Sequence, residues 1–188
     1  IPVVMGGIHP TVCPEDCAQH TDAVVVGEAE ELWPILLADV AGRRLQPVYR
    51  NSGPVDISKA PVPRWDLVKH KDYLFTNTLC IGRGCPWRCD FCYNSADNID
   101  ARYRMKPIRN IIAEIESLGI PHVMFIDDNF ISNLAWTREF VQAVKPLRLR
   151  WNAAVSANIG NHPDLLDEMK ESGCQSLFIG FETINEAA

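Results

Sequence analysis

The sequence predicts an α/β protein built on parallel sheets, in two successive segments. Three observations carry this. Short apolar runs of strand length alternate with amphipathic helical stretches. Some of those runs, such as Val3-Val4-Met5 and Ala23-Val24-Val25-Val26, are apolar throughout, the pattern of strands buried on both faces. A proline-punctuated stretch near residues 42–72 divides one alternation from the next.

The first segment, 1–41, reads strand, Gly-rich turn, helix, strand, helix. Val3-Val4-Met5 is a short strand broken at Gly6-Gly7, and Pro14 suits the first turn of a short helix running to about His20. Ala23-Val24-Val25-Val26 is a second buried strand, ended by Gly27. Glu28 to Val40 reads as a helix with acidic residues in its first turn and Gly42 just past its end. This is the pattern of the end of a doubly wound domain. Pro47, Pro54, Pro61 and Pro63 mark 42–72 as an interdomain connection with room for a small hairpin.

The second segment, 73–188, opens with a strand over Thr76–Gly82. Pro107–Leu118 is a helix with Ile108, Ile111, Ile112, Ile115 and Leu118 on one face, closed by Gly119. A strand at His122–Ile126 precedes Asp127-Asp128-Asn129. Trp136, Phe140, Val141 and Val144 mark the next helix. Arg150–Val155, a helix over Pro163–Met169 and a strand at Ser176–Ile179 complete the run, which leads to Gly180-Phe181-Glu182. Four strands joined by three helices fit either part of a β/α barrel or an open parallel sheet, and the alternation does not choose.

The chain has 188 residues, with 18 Lys and Arg against 24 Asp and Glu, a net charge of −6. That balance speaks against nucleic acid as the main partner, since phosphate neutralisation needs concentrated basic surface. The basic run Arg102, Arg104, Lys106, Arg109 reads as a solvated loop leading into a helix. No apolar run reaches the roughly 20 residues that span a bilayer, so no membrane partner is expected. Seven cysteines, three of them within eight residues, suit thiolate ligands in a reducing, cytoplasmic setting better than a disulfide framework. Ile1-Pro2-Val3 reads as the inside of a strand, and the sequence stops just after another, at Glu182-Thr183-Ile184-Asn185. Both ends look cut, as in a piece of a longer protein.

Cys85, Cys89 and Cys92, spaced Cys-x3-Cys-x2-Cys, place three thiolates in one tight loop. Three ligands for a four-iron cubane leave one iron open, whereas an electron carrier usually ligates all four. A structural zinc site wants four ligands, and Cys80 is the nearest fourth. That alternative makes the protein a zinc-stabilised, non-catalytic binding module.

The stretch Arg83-Gly84-Cys85-Pro86-Trp87-Arg88-Cys89-Asp90-Phe91-Cys92 resembles the cluster loop of the radical S-adenosylmethionine enzymes, with an aromatic residue just before the last cysteine. The resemblance implies a 4Fe–4S cluster on Cys85, Cys89 and Cys92, and a partial (β/α)6 barrel whose first four β/α units lie here. It implies that the amino and carboxylate groups of S-adenosylmethionine chelate the open iron. Reductive cleavage then yields a 5′-deoxyadenosyl radical that attacks a small-molecule substrate. An electron donor such as flavodoxin or ferredoxin is implied with it. Asp127, Asp128 and Asn129 stand where the family binds the methionine amino group, although the common motif is Gly-Gly-Glu. Capping of a helix is the ordinary use of such aspartates. Ser156, Asn158 and Glu182 follow the next strands, at positions that contact the ribose or amino-acid part. Phe91 and Tyr93 are candidates to flank the adenine.

Gly6-Gly7-Ile8-His9-Pro10-Thr11 and Val25-Val26-Gly27-Glu28-Ala29-Glu30 resemble the end of the cobalamin-binding domain that precedes many of these enzymes. This implies cobalamin lying against the Gly6-Gly7 turn and a methyltransferase or rearrangement reaction. The alternative is radical chemistry beside a vestigial cobalamin domain. His9 reads as polar surface rather than a cobalt ligand, Cys13 and Cys17 as ordinary residues, and Cys174 as core.

Overall fold

The computed structural model describes residues 1–183. The end of the 73–188 segment, residues 184–188, lies outside the described residues. The chain forms two compact units, Ile1–Ala60 with Gly84–Tyr103, and Pro61–Arg83 with Arg104–Ala188. The cysteine loop, which the sequence places in the second segment, groups with the first unit.

In the first unit β1 (Val4–Met5), β2 (Ala23–Val26) and β3 (Val48–Arg50) form a parallel sheet in chain order. The stretch with room for a hairpin instead supplies β3, a third parallel strand. All four residues of β2 are buried. Its alternate side chains face different partners: Val24 and Val26 pack with Cys17, and Ala23 and Val25 with Leu32, Leu36 and Tyr49. Helices therefore cover both faces of this sheet. They are α1 (Ile8–Val12) and α2 (Pro14–Ala18) on one side and α3 (Leu32–Ala41) on the other.

Two details differ from the sequence expectation. The segment Ile8–Val12, read as loop, is a helical turn that Gly7 opens. Gly7 has φ +102, and its carbonyl accepts from both Thr11 N and Thr11 Oγ1. The helix expected from Glu28 starts only at Leu32. Glu28 is otherwise engaged: its carboxylate accepts from Val55 N at 2.9 Å, and its carbonyl accepts from the Asn51 side chain.

The second unit holds a four-stranded parallel sheet of β4 (Thr78–Leu79), β7 (His122–Phe125), β8 (Arg150–Ser156) and β9 (Cys174–Gly180), paired in that order. A short antiparallel ladder pairs β5 (Gly82–Arg83) with β6 (Arg104–Met105). Strand thus breaks at Cys80-Ile81, where the sequence suggested one continuous strand. The connecting helices are α4 (Ile108–Leu118), α5 (Leu134–Val144) and α6 (Pro163–Glu171). Gly119, at φ +69, ends α4 as its position predicted.

All three helices bury their apolar stripes against one face of this sheet. Ile111, Ile115 and Leu118 of α4, Phe140, Val141 and Val144 of α5, and Leu165 and Met169 of α6 join Leu79, Val123, Phe125, Trp151, Ala153 and Val155 in one core. Phe125, Phe130, Phe140 and Trp151 pack ring against ring with centroids 5.2–5.7 Å apart. Pairs of this kind add roughly 0.5–1.5 kcal/mol beyond area burial.

The opposite face stays open. Met124 and Phe178 are exposed there, at 41% and 79%. A polar ladder also crosses it. Asn77 Nδ2 donates to His122 Nδ1 at 3.3 Å, His122 Nε2 pairs with Asn152 Oδ1 at 2.6 Å, and the Asn152 amide donates to Ser176 Oγ. Among the described residues, the strands of this sheet run in chain order and its helices lie on one face only. A doubly wound sheet carries helices on both faces.

Gly173 makes the α6–β9 turn possible. Its φ is +100, and a Cβ there would lie 1.9 Å from the Leu149 carbonyl oxygen. Gly173→Ala combines left-handed backbone strain with a backbone clash, so it should cost about 3 kcal/mol. Urea unfolding followed by tryptophan fluorescence measures this, and an unchanged midpoint would show that the turn tolerates a side chain.

Candidate functional site

In the first unit, the cysteine loop is closed at its base by glycine. Gly84 has φ +75, and a Cβ there would meet Ala101 O at 2.5 Å and Arg102 O at 2.6 Å. Only glycine lets the two ends of the loop approach so closely, and Cys85 N donates to Ala101 O across the gap. A chain of turns shapes the interior: Cys92 N donates to Cys89 O at 2.9 Å, and Ser95 N to Cys92 O at 3.0 Å. Ser95 Oγ also donates to Cys89 O, at 2.9 Å. Arg102 braces the exit by gripping Asp100 through Nε and Nη2.

Cys89 is exposed, Cys85 and Cys92 are half-buried, and none is in a disulfide. Phe91 is 72% exposed and Tyr93 37%. Both adenine-flanking candidates thus sit at accessible positions on the loop. Asn94, at 3% exposed, buries an amide Nδ2 that finds no acceptor.

Among the described residues, the only three metal-capable side chains whose ligand atoms all lie within 4.8 Å of one another are His9, Asp16 and Cys17. The loop thiols do not converge on one point, as a zinc ion at about 2.3 Å from each sulfur requires. A cubane instead takes each thiolate at a different iron. Cys80, the suggested fourth zinc ligand, lies in the second unit. Burial, with Asp127 nearby, pushes its thiol up to about 11.

In the second unit the candidate residues gather at the carboxyl ends of the parallel strands. Asp127, just past β7, does not cap a helix; Asn133 caps α5 by accepting from Trp136 N at 3.1 Å. The Asp127 carboxylate accepts from Ile81 N at 3.1 and 3.0 Å and from Gly82 N at 2.7 Å. It thereby holds the chain as it enters β5, the strand leading to the cysteine loop. Asp128 beside it is exposed.

Asn129 is buried and pairs reciprocally with the last residue of β8. Its Nδ2 donates to Ser156 Oγ at 3.0 Å, and its Oδ1 accepts from Ser156 N at 3.2 Å. The Ser156 hydroxyl donates onward to Asn158 Oδ1 at 2.5 Å. Ser156 is in register with Gly180 on β9. The exposed Glu182 has φ +59 and folds its carboxylate back over Gly180. Asn129, Ser156, Gly180 and Glu182 thus share one rim. Gly6 and Gly7 belong to the first unit, at the carboxyl end of β1. Nothing lies within 4 Å of where a Gly7 side chain would stand, so the turn is open there.

Sequence reasoning missed the polar ladder. Its only sequence sign is that His122, Asn152 and Ser176 are polar positions within strands of largely apolar residues. It also missed the pairing of Lys106 with Glu114 at 2.7 Å, both largely buried. Lys106 N in turn donates to Ile81 O at 2.8 Å, so this pair braces the strand that Asp127 holds.

A family model described as the Radical SAM superfamily matches residues 79–187. The chain is 28% identical over 193 residues to a bacteriochlorophyllide d C-12(1)-methyltransferase of Chlorobaculum tepidum, covering 97% of this chain and 42% of that protein. It is 29% identical over 206 residues to a hopanoid C-2 methylase of Rhodopseudomonas palustris, covering 100% of this chain and 38% of that one. An uncharacterized methyltransferase of Pyrococcus horikoshii is 30% identical over 209 residues, covering 96% and 45%. The chain spans less than half the length of these relatives.

Asp127 makes this region sensitive to pH. Burial raises its carboxyl to about 7, against the pull of the two backbone N–H groups and Lys106. A carboxyl raised in the folded state holds its proton while the unfolded one has lost it. Stability therefore falls as pH rises from about 4 to about 7. Asp127→Asn should flatten that part of the profile, measured by urea unfolding at stepped pH. An identical slope in the variant would show that Asp127 does not titrate in this range.

Proposed function

The chain belongs to the radical SAM superfamily, and from that premise we propose that it carries the cluster-binding part of a radical methyltransferase. Cys85, Cys89 and Cys92 would hold a 4Fe–4S cluster. The observation that carries the reading is the glycine-closed loop, whose three thiols are accessible, in no disulfide and not gathered on one point. Held by these three thiolates, such a cluster would supply the one-electron reductive cleavage of bound S-adenosylmethionine that yields a 5′-deoxyadenosyl radical.

The chain's own residues bind and orient. The rim of Asn129 and Ser156 offers a fixed donor and acceptor pair, suited to the hydroxyls and amino-acid groups of S-adenosylmethionine. Asp128 and Glu182 add carboxylates for its cationic ammonium. Phe91 and Tyr93 offer faces for the adenine. Asp127 is better placed to hold β5 than to touch the cofactor, because its oxygens already accept two backbone N–H groups. The one-sided β/α wall of the second unit supports reading it as the first four units of a partial (β/α)6 barrel.

In the first unit, a parallel sheet with helices on both faces and an open Gly6-Gly7 turn at a strand's carboxyl end supports a cobalamin domain. Ligands of such sheets bind at carboxyl ends, and the missing side chains let a flat macrocycle lie against the backbone. Cobalamin would supply the methyl group. The relatives are named for methylating a bacteriochlorophyllide and a hopanoid, which supports methyl transfer to a small molecule. A flavodoxin or ferredoxin would deliver the electron, in a cytoplasm that keeps the thiols reduced.

Anaerobic incubation of the cluster-loaded chain with dithionite and S-adenosylmethionine tests the reading. 5′-Deoxyadenosine should form, and Cys85→Ala, Cys89→Ala or Cys92→Ala should each abolish it. Equal product from these variants would refute the assignment of the cluster ligands.

A further inference from the structure

His9, Cys13 and Cys17 look unrelated in the sequence, and the fold brings two of them together around a third residue. Cys13 sits between α1 and α2 with φ −126 and ψ 62, so the chain turns there instead of continuing one helix. The turn carries α2 back toward α1. His9 Nε2 then stands 3.0 Å from Asp16 Oδ2, and the Cys17 sulfur joins them, all three ligand atoms lying within 4.8 Å of one another.

We propose that His9, Asp16 and Cys17 form a binding site for a single zinc ion, with water in the fourth position. An imidazole nitrogen, a carboxylate oxygen and a thiolate sulfur are the three ligand types that zinc takes. Atoms bound at about 2.0–2.3 Å around a tetrahedral ion stand roughly 3.3–3.7 Å apart. His9 and Asp16 are already close to that spacing, and the sulfur needs only a small inward shift. The histidine–aspartate hydrogen bond joins the first two residues, and the Cys17 sulfur lies within 4.8 Å of both ligand atoms.

Exposure supports the ligand roles. The His9 and Asp16 side chains are 65% and 62% exposed, so an ion can reach them from solvent. Cys17 is 4% exposed and packs on Val24 and Val26. The ion would therefore link the surface turn to the buried strand β2. Binding releases the Cys17 thiol proton to solvent and leaves the His9 ring neutral, with its remaining proton on Nδ1. The site lies wholly in the first unit and is independent of the radical reading.

The test uses the cluster-loaded chain, without a histidine tag, so that the loop thiols are already occupied. After addition of zinc and desalting, one equivalent should remain. Its X-ray absorption edge, which iron does not obscure, should show one sulfur and three lighter ligands. His9→Ala and Asp16→Asn, both at exposed positions, should weaken retention by at least about tenfold, since even outer-shell changes cost that much. Cys17→Ser should remove the sulfur from the shell. No retained zinc would overturn the proposal, as would a shell with no sulfur or several, or retention indifferent to His9→Ala.

Discussion

The carboxylate of Asp127 takes the backbone N–H groups of both Ile81 and Gly82, and the second unit's candidate site depends on that grip. It fixes the carboxyl end of β7 to the residues that enter β5. Two neighbours tighten the junction. Lys106 N binds Ile81 O from the returning strand, and the Lys106 side chain reaches the buried Glu114 on α4. Gly82 leaves no room for relaxation, since a Cβ there would lie 2.7 Å from Arg104 O and Met105 Sδ. The chain leading to the cysteine loop is thus held by a carboxylate, a buried ion pair and a glycine. Removing one partner of such a buried pair leaves an uncompensated charge and costs far more than an exposed pair would.

A loop that binds a metal cluster must be fixed at its base and open at its ligands. Gly84 and the Cys85–Ala101 hydrogen bond close the base, and the turns through Cys89, Cys92 and Ser95 point the loop without burying Cys89. Organisation of the rim follows a different rule. Asn129 and Ser156 satisfy each other, so their remaining hydrogen-bonding capacity is presented in a fixed direction. Preorganisation of this kind lowers the ordering cost of binding a polar ligand.

Most strands and helices were legible because their signals are local. The stripe of Ile111, Ile115 and Leu118, the closing Gly119 and the all-apolar Ala23–Val26 each announce their element within a few residues. Elements set by distant partners were not legible. The helix after Gly27 starts late because Glu28 bonds to Asn51 and Val55, and β3 forms because β2 offers it a parallel edge. The cysteine spacing was readable because its three thiols lie within eight residues. The work of Asp127, the Asn129–Ser156 pair and the ladder through His122 was not, since each of these bonds joins residues at least 24 positions apart.

The cluster proposed on Cys85, Cys89 and Cys92 would leave one iron open. Electron paramagnetic resonance of the reduced, cluster-loaded chain, with and without S-adenosylmethionine, tests that most directly. A reduced 4Fe–4S signal that shifts when S-adenosylmethionine is added is the predicted result. A cluster whose signal is indifferent to S-adenosylmethionine would contradict it, because a fourth protein ligand would then fill the position the chemistry needs.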